Sequence, residues 1–159
     1  MGEAGAPRDE RHAALYAPFR PRLARAVSLA LAVLVGAATI ALAVALPSIA
    51  SGYGGGDLVG IGAFGLVTCW FCWRQASVRA RVDESGITVR NLVVTRHLVW
   101  AEVVEVRFGQ GRPWVQLDLA DGDTLAVMGV QRADGALADA EARRLATLVA
   151  LHSRTARND

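Results

Sequence analysis

Between Ala26 and Leu46 the chain runs for 21 residues without a charge. As a helix rising 1.5 Å per residue, such a run extends about 31 Å, the thickness of a bilayer's hydrocarbon core. Ten of the 21 are Leu, Ile or Val, each of which favours insertion. Most of the remainder are alanine. A soluble core helix seldom needs so long an apolar run, so the pattern predicts a membrane span over 26–46, ended by Pro47.

A second apolar segment follows, the 16 residues from Leu58 to Trp73. At about 24 Å it is short for a span. Starting it at Gly54 gives a segment 54–73 of ordinary length and places Asp57 in the first turn, where the positive helix N-terminus lowers the cost of the charge. Tyr53 at one end and Trp70 and Trp73 at the other read as interfacial anchors. Arg8, Arg11, Arg20, Arg22 and Arg25 precede the first segment, Arg74, Arg79 and Arg81 follow the second, and the stretch from Pro47 to Asp57 has no arginine. The positive-inside rule then predicts a multi-pass protein of the cytoplasmic membrane with both N- and C-termini in the cytoplasm. Ala43-Val44-Ala45 resembles a signal-peptidase site, but the apolar run exceeds the usual 7–15 residues of a signal core, which argues against cleavage. Even after cleavage the second span would carry the chain back inside.

The 159 residues leave room for one small domain beside the two spans. The net charge of +2 is modest, and all 17 basic residues other than histidine are arginine. With abundant Ala, Gly and Val, this composition implies a GC-rich, actinobacterial kind of genome. Two cysteines make no disulfide framework. The expected organisation is a disordered cytoplasmic arm over 1–19, a transmembrane hairpin over 20–75, a folded domain over 76–153 and a tail over 154–159.

From Val78 onward the residues alternate with period two: Ile87 and Val89 with Thr88 and Arg90; Val104, Val106 and Phe108 with Glu105 and Arg107; Val115, Leu117 and Leu119 with Trp114, Gln116 and Asp118. Such alternation predicts half-buried strands. Turn signals at Glu84-Ser85-Gly86, Gly109 to Pro113 and Asp121-Gly122 divide six or seven short, mostly antiparallel strands before about Val130. Asp134 is placed to cap a final helix whose Ala138, Ala142, Leu145 and Val149 share a face, with Leu148 beside them. Asp139 and Arg143 are spaced to pair on its outer side. That apolar face needs an end or mouth of a curved sheet to cover it. The fold class is therefore α+β: a two-helix transmembrane hairpin, then an antiparallel β-barrel or curved sheet capped by a C-terminal helix.

The run Val82-Asp83-Glu84-Ser85-Gly86-Ile87-Thr88-Val89-Arg90-Asn91-Leu92, then Val99-Trp100-Ala101-Glu102-Val103 and Val106, resembles bacterial PH-domain proteins of the actinobacterial low-molecular-weight protein antigen type. Val99 stands where several members carry proline before the tryptophan. The resemblance implies a PH-like sheet, two spans ahead of it, no enzymatic activity and no defined ligand. Within the motif Gly86, Asn91 and Trp100 read as structural. Gly86 is placed to supply a positive φ before a strand, and Trp100 to pack a corner of the sheet.

Motifs that elsewhere carry chemistry fall in unsuitable places. Gly60-Ile61-Gly62-Ala63-Phe64-Gly65 matches the dinucleotide fingerprint but lies inside an apolar span, where Gly56 and Gly60 read as helix packing. Cys69-Trp70-Phe71-Cys72 matches C-x-x-C but sits near the C-terminal end of a span, where the helix field opposes a thiolate. His12, His97 and His152 show no metal spacing, no nucleophile motif is present, and Glu102 and Glu105 read as solvated acids. The expectation is thus a non-catalytic binding or scaffolding module with no cofactor. It would engage lipids through the hairpin and an unknown protein partner, or other copies of itself, through the domain. No basic-aromatic face for nucleic acid is evident. Two alternatives stand beside it: a thiol-redox protein using Cys69 and Cys72, and an anionic-lipid-sensing module using Arg90, Arg96 and Arg107.

Overall fold

The computed structural model describes residues 6–50, 52–109 and 111–158. The chain divides into two compact units, residues 23–77 and a discontinuous one formed by residues 1–22 and 78–159.

The helical unit contains most of α2 (Arg22–Ile49) and all of α3 (Gly55–Ala76). Both are long and apolar enough to cross a membrane. Pro47 does not end α2: it lies within the last turn, and the helix runs on to Ile49. At the start of α3 the Gly54 N–H donates to Asp57 Oδ2 at 3.0 Å, so the one acid of this segment satisfies the amide of the residue that precedes the helix. The helices meet through Gly65. A Cβ there would lie 2.3 Å from Thr39 Oγ1, a separation that only glycine permits. Gly56 and Gly60, expected to pack against the first span or another copy, have open space within this chain where their Cβ atoms would be. Cys69 Sγ donates to the Ala32 carbonyl at 3.4 Å, and the two cysteines are free thiols.

The second unit is an α+β domain with, among the described residues, six strands in two antiparallel sheets. Strands β1 (Arg79–Val82), β2 (Gly86–Arg90) and β3 (Thr95–Val99) form the first in that order. Strands β4 (Val103–Arg107), β5 (Trp114–Leu119) and β6 (Thr124–Gln131) form the second. No ladder joins the sheets among the described residues, so the expected barrel is not closed. The alternating pattern explains the core. Ile87, Val89, Val115, Leu117 and Leu119 point inward, while Thr88, Gln116 and Asp118 on the same strands are partly exposed. Strand β4 departs from the expected alternation. A register shift between Val103 and Glu105 turns Val103 into the core and leaves Val104 64% exposed. At the β5–β6 turn Gly122 takes φ 86°, and Asp121 Oδ1 accepts the Asp123 N–H at 2.9 Å.

Helix α4 (Ala136–Asn158) closes the domain. Ala138, Ala142, Leu145, Leu148 and Val149 are all buried in the shared core, as the helical spacing requires. The expected tail is helical from residue 154 to Asn158; Asp159 lies outside the described residues. Asp134, expected at the N-cap of α4, is separated from the helix start by Gly135. It lies in a 3-10 turn before Gly135, and its Oδ2 accepts the Arg22 N–H at 3.0 Å. Among the described residues Arg144 pairs with Glu141 on α4, and the expected pair of Asp139 with Arg143 is not found.

The largest departure is at the N-terminus, where a disordered arm was expected over 1–19. Ala6–Leu15 form helix α1, and Phe19 is wholly buried in the domain core; residues 1–5 lie outside the described residues. Pro18 and Pro21 favour extended backbone in the residues before them, including Arg20. Phe19 between them makes a two-way bridge with Ala80 of β1, its N–H donating at 2.8 Å and its carbonyl accepting at 3.0 Å.

Candidate functional site

Two groups of side chains in the domain stand out, one that fastens the N-terminal arm and one that concentrates charge. The arm is fastened by α4. Arg144 places its guanidinium 3.8 Å above the Phe19 ring and donates to the carbonyls of Ala14, Leu15 and Ala17. These carbonyls lie at the end of α1 and just beyond, where the helix leaves acceptors unsatisfied, and a fork of fixed donors suits them. Glu141 pairs with the same guanidinium. One turn past Leu148, His152 bonds Tyr16 Oη at 2.8 Å and stacks on Trp100 at 4.9 Å with a 3° tilt. Burial, with Glu84 and Asp83 nearby, raises the Tyr16 pKa above its ordinary value.

Trp100 occupies a corner between the sheets. It is 5% exposed, and its indole N–H donates to the Asp83 carbonyl at 2.9 Å. Asp83 itself organises the β1–β2 turn by accepting from Ser85 Oγ, the Ser85 N–H and the Gly86 N–H. Gly86 has no positive φ, contrary to expectation. It is needed for closeness, since a Cβ would stand 2.1 Å from the Leu98 carbonyl oxygen. Asn91 links the two sheets: its Nδ2 donates to the Ala126 carbonyl at 2.7 Å, and its Oδ1 accepts the Met128 N–H at 3.1 Å.

The three arginines expected to act together lie in different settings. Arg96 reaches Asp121 and Asp123 in the β5–β6 turn, at 3.4 and 3.7 Å. Arg107 pairs with Asp118 of β5, which raises its pKa further. Arg90 instead joins a different group. It is the direct cross-strand partner of Arg79, with Arg81 two residues along β1 and Arg20 beside the Phe19 bridge. Among the described residues none of these four forms an ion pair with an acid. Partial burial and the fields of Arg81, Arg90 and Arg20 push the Arg79 pKa down. The same sheet face carries His97, whose Nδ1 lies 2.9 Å from Thr88 Oγ1.

In the helical unit, Trp70 and Trp73 lie near the end of α3 and are 60% and 58% exposed, and Tyr53 just precedes its start. No group of three or more metal-ligating side chains is found among the described residues. Phe19, Arg144 and His152 were missed by sequence reasoning. The prolines flanking Phe19 were the one local sign of an extended, fixed segment.

Residues 77–147 match the Bacterial PH domain family. An uncharacterized protein of Mycobacterium bovis and another of Mycobacterium tuberculosis are each 41% identical over 78 residues, 49% of this chain and 51% of theirs. The chain thus spans about half the length of the curated relatives it matches. No solved structure matches. Residues 77–147 thus form a PH-like domain. Phe19 and His152 lie outside the matched residues.

Proposed function

We propose that the chain is a two-span protein of the cytoplasmic membrane, of the low-molecular-weight protein antigen type, whose PH-like domain is a cytoplasmic binding or scaffolding module without catalysis. The observation that carries this reading is the burial of Phe19, from before α2, in a domain whose strands begin after α3. A domain built from both flanks of a helical pair needs those flanks on one side of the bilayer, so the pair must cross an even number of times. The length of α2 and α3 and the arginine distribution support two crossings with the flanks inside. Removal of the first span as a signal peptide would also remove Phe19. The partner is a protein or a second copy, met along the outer strands, where Val99 and Val104 are exposed.

The thiol-redox alternative draws no support from the geometry, because Cys72 is buried and Cys69 bonds a carbonyl within the helical unit. In cells, a membrane-impermeant maleimide tests the topology with single cysteines in a Cys69→Ser, Cys72→Ser background. Gly52→Cys should react in intact cells, and Ala13→Cys and Arg143→Cys only after lysis. Reaction of Ala13→Cys from outside would overturn the proposal.

A further inference from the structure

The β2–β3 hairpin turns on an apolar apex. Tight turns are ordinarily built from Gly, Pro, Asn, Asp or Ser. Here Leu92 and Val93 fill the loop that the Asn91 N–H closes by donating to the Val94 carbonyl at 2.9 Å. Val93 is 81% exposed and Val94 56%.

Strand register fixes which end of the sheet carries this apex. Arg79, the first residue of β1, pairs with Arg90, the last of β2, and Arg90 pairs with Thr95 at the start of β3. Phe19 bridges Ala80, which puts Arg20 at the same end. Arg79 comes three residues after Ala76, the last of α3, and Arg20 two before Arg22, the first of α2. An extended chain covers about 3.3–3.6 Å per residue, so each of these backbones lies within about 11 Å of a helix end. At about 3.3 Å per strand residue, the apex stands roughly 7 Å beyond Arg90. The apolar turn and the arginines therefore share the end of the domain from which both connections to α2 and α3 depart.

The charges there are arranged for an anionic neighbour. Like charges placed directly opposite on paired strands repel, as Arg79 and Arg90 do, and counter-charges from outside relieve the repulsion. Arg96 and Arg107 are already satisfied by Asp121, Asp123 and Asp118, which leaves Arg20, Arg79, Arg81 and Arg90 for an external ligand. An exposed apolar tip with cations at the same end of the sheet matches the boundary between headgroups and acyl chains.

We infer that the β2–β3 hairpin is a membrane-contact tip: Val93 and Val94 enter the headgroup boundary of the leaflet beside the domain, and Arg20, Arg79 and Arg90 hold the phosphates of anionic lipids. The inference rests on the membrane-spanning reading of α2 and α3. Its partner is the lipid surface itself, and a protein partner would meet the outer strands at Val99 and Val104, away from this turn.

The test uses the full chain in lipid nanodiscs, in the Cys69→Ser, Cys72→Ser background, with an environment-sensitive fluorophore on Val93→Cys. In phosphatidylglycerol-containing discs the label should be blue-shifted and quenched by lipid-borne nitroxide, and in pure phosphatidylcholine discs much less so. The Arg79→Gln, Arg90→Gln double variant should lower the buried-to-exposed ratio about 25-fold, roughly fivefold per arginine near an anionic surface. Arg90→Lys should retain the burial, which separates charge from loss of folding. A label that stays solvent-exposed in anionic discs, or is equally buried in neutral ones, while the chain resists alkaline extraction, overturns the inference and leaves the spanning reading intact. A chain extracted by alkali overturns both.

Discussion

Truncating Phe19 to alanine asks whether the segment before α2 belongs to the folded domain. The ring is wholly buried, and buried Phe-to-Ala substitutions cost about 3–5 kcal/mol. Arg144 stacks on the ring at 3.8 Å, and the loss of a desolvated contact of that kind, up to about 2 kcal/mol, falls within the same change. With the ring gone, Arg144 and neighbouring core groups can relax toward the space it leaves, so the lower end, about 3 kcal/mol, is expected. For a domain of about 100 residues this lowers Tm by roughly 12–24 °C, at about 4–8 °C per kcal/mol. Thermal unfolding in detergent reads the loss. Amide exchange locates it, because the Phe19 and Ala80 N–H groups donate to each other's carbonyls. Both should be protected in the parent protein and exchange about 100-fold faster in the variant, the tenfold-per-1.4 kcal/mol equivalent of the same loss. A double-mutant cycle with Arg144→Met should return a coupling of about 1–2 kcal/mol. A Tm drop below about 4 °C with unchanged exchange at both amides would refute the reasoning.

Three further outcomes are expected. Gly86→Ala drives a methyl into the Leu98 carbonyl and should cost at least about 2 kcal/mol in chemical denaturation, whereas Gly109→Ala, with open space but a positive φ, should cost less. Asn91→Ala leaves the Ala126 carbonyl and the Met128 N–H without the partners that join the sheets, and should lower stability by about 2–3 kcal/mol; a loss under about 0.5 kcal/mol would show that the sheets hold together without it. The Asp83 pKa is lowered, first by the Ser85 hydroxyl and then by the Ser85 and Gly86 amides. Its contribution is therefore complete above the ordinary carboxylate range near pH 4 and is lost as pH falls through the lower folded value. Asp83→Asn should flatten the acid-side decline of Tm, and an unchanged decline would exclude Asp83 as its source.

Local periodicity made much of the fold legible. The 21-residue uncharged run announced a long helix, the alternation around Ile87 and Val115 announced strands, and the spacing of Ala138, Leu145 and Val149 announced the buried side of α4. What escaped depends on contacts between distant residues, which periodicity does not carry. Arg96 and Arg107 looked free because their acids come from the β5–β6 turn and from β5. Gly86 looked like a turn glycine because the carbonyl that crowds it belongs to β3. Val104 looked inward because a bulge leaves no mark in an alternating string. Phe19 was hardest of all, a single aromatic whose partner residues lie beyond two long helices.

The bridge between Phe19 and Ala80 also sets an order of events during synthesis. The strand that receives Phe19 leaves the ribosome 61 residues after it, roughly 3–12 s later at 5–20 residues per second. Throughout that interval the aromatic has no site to occupy, and both long helices must be made before it does. A nascent chain that stalls within either helix cannot yet bury Phe19 against Ala80. Completion of the domain core in this way waits on the synthesis of both long helices.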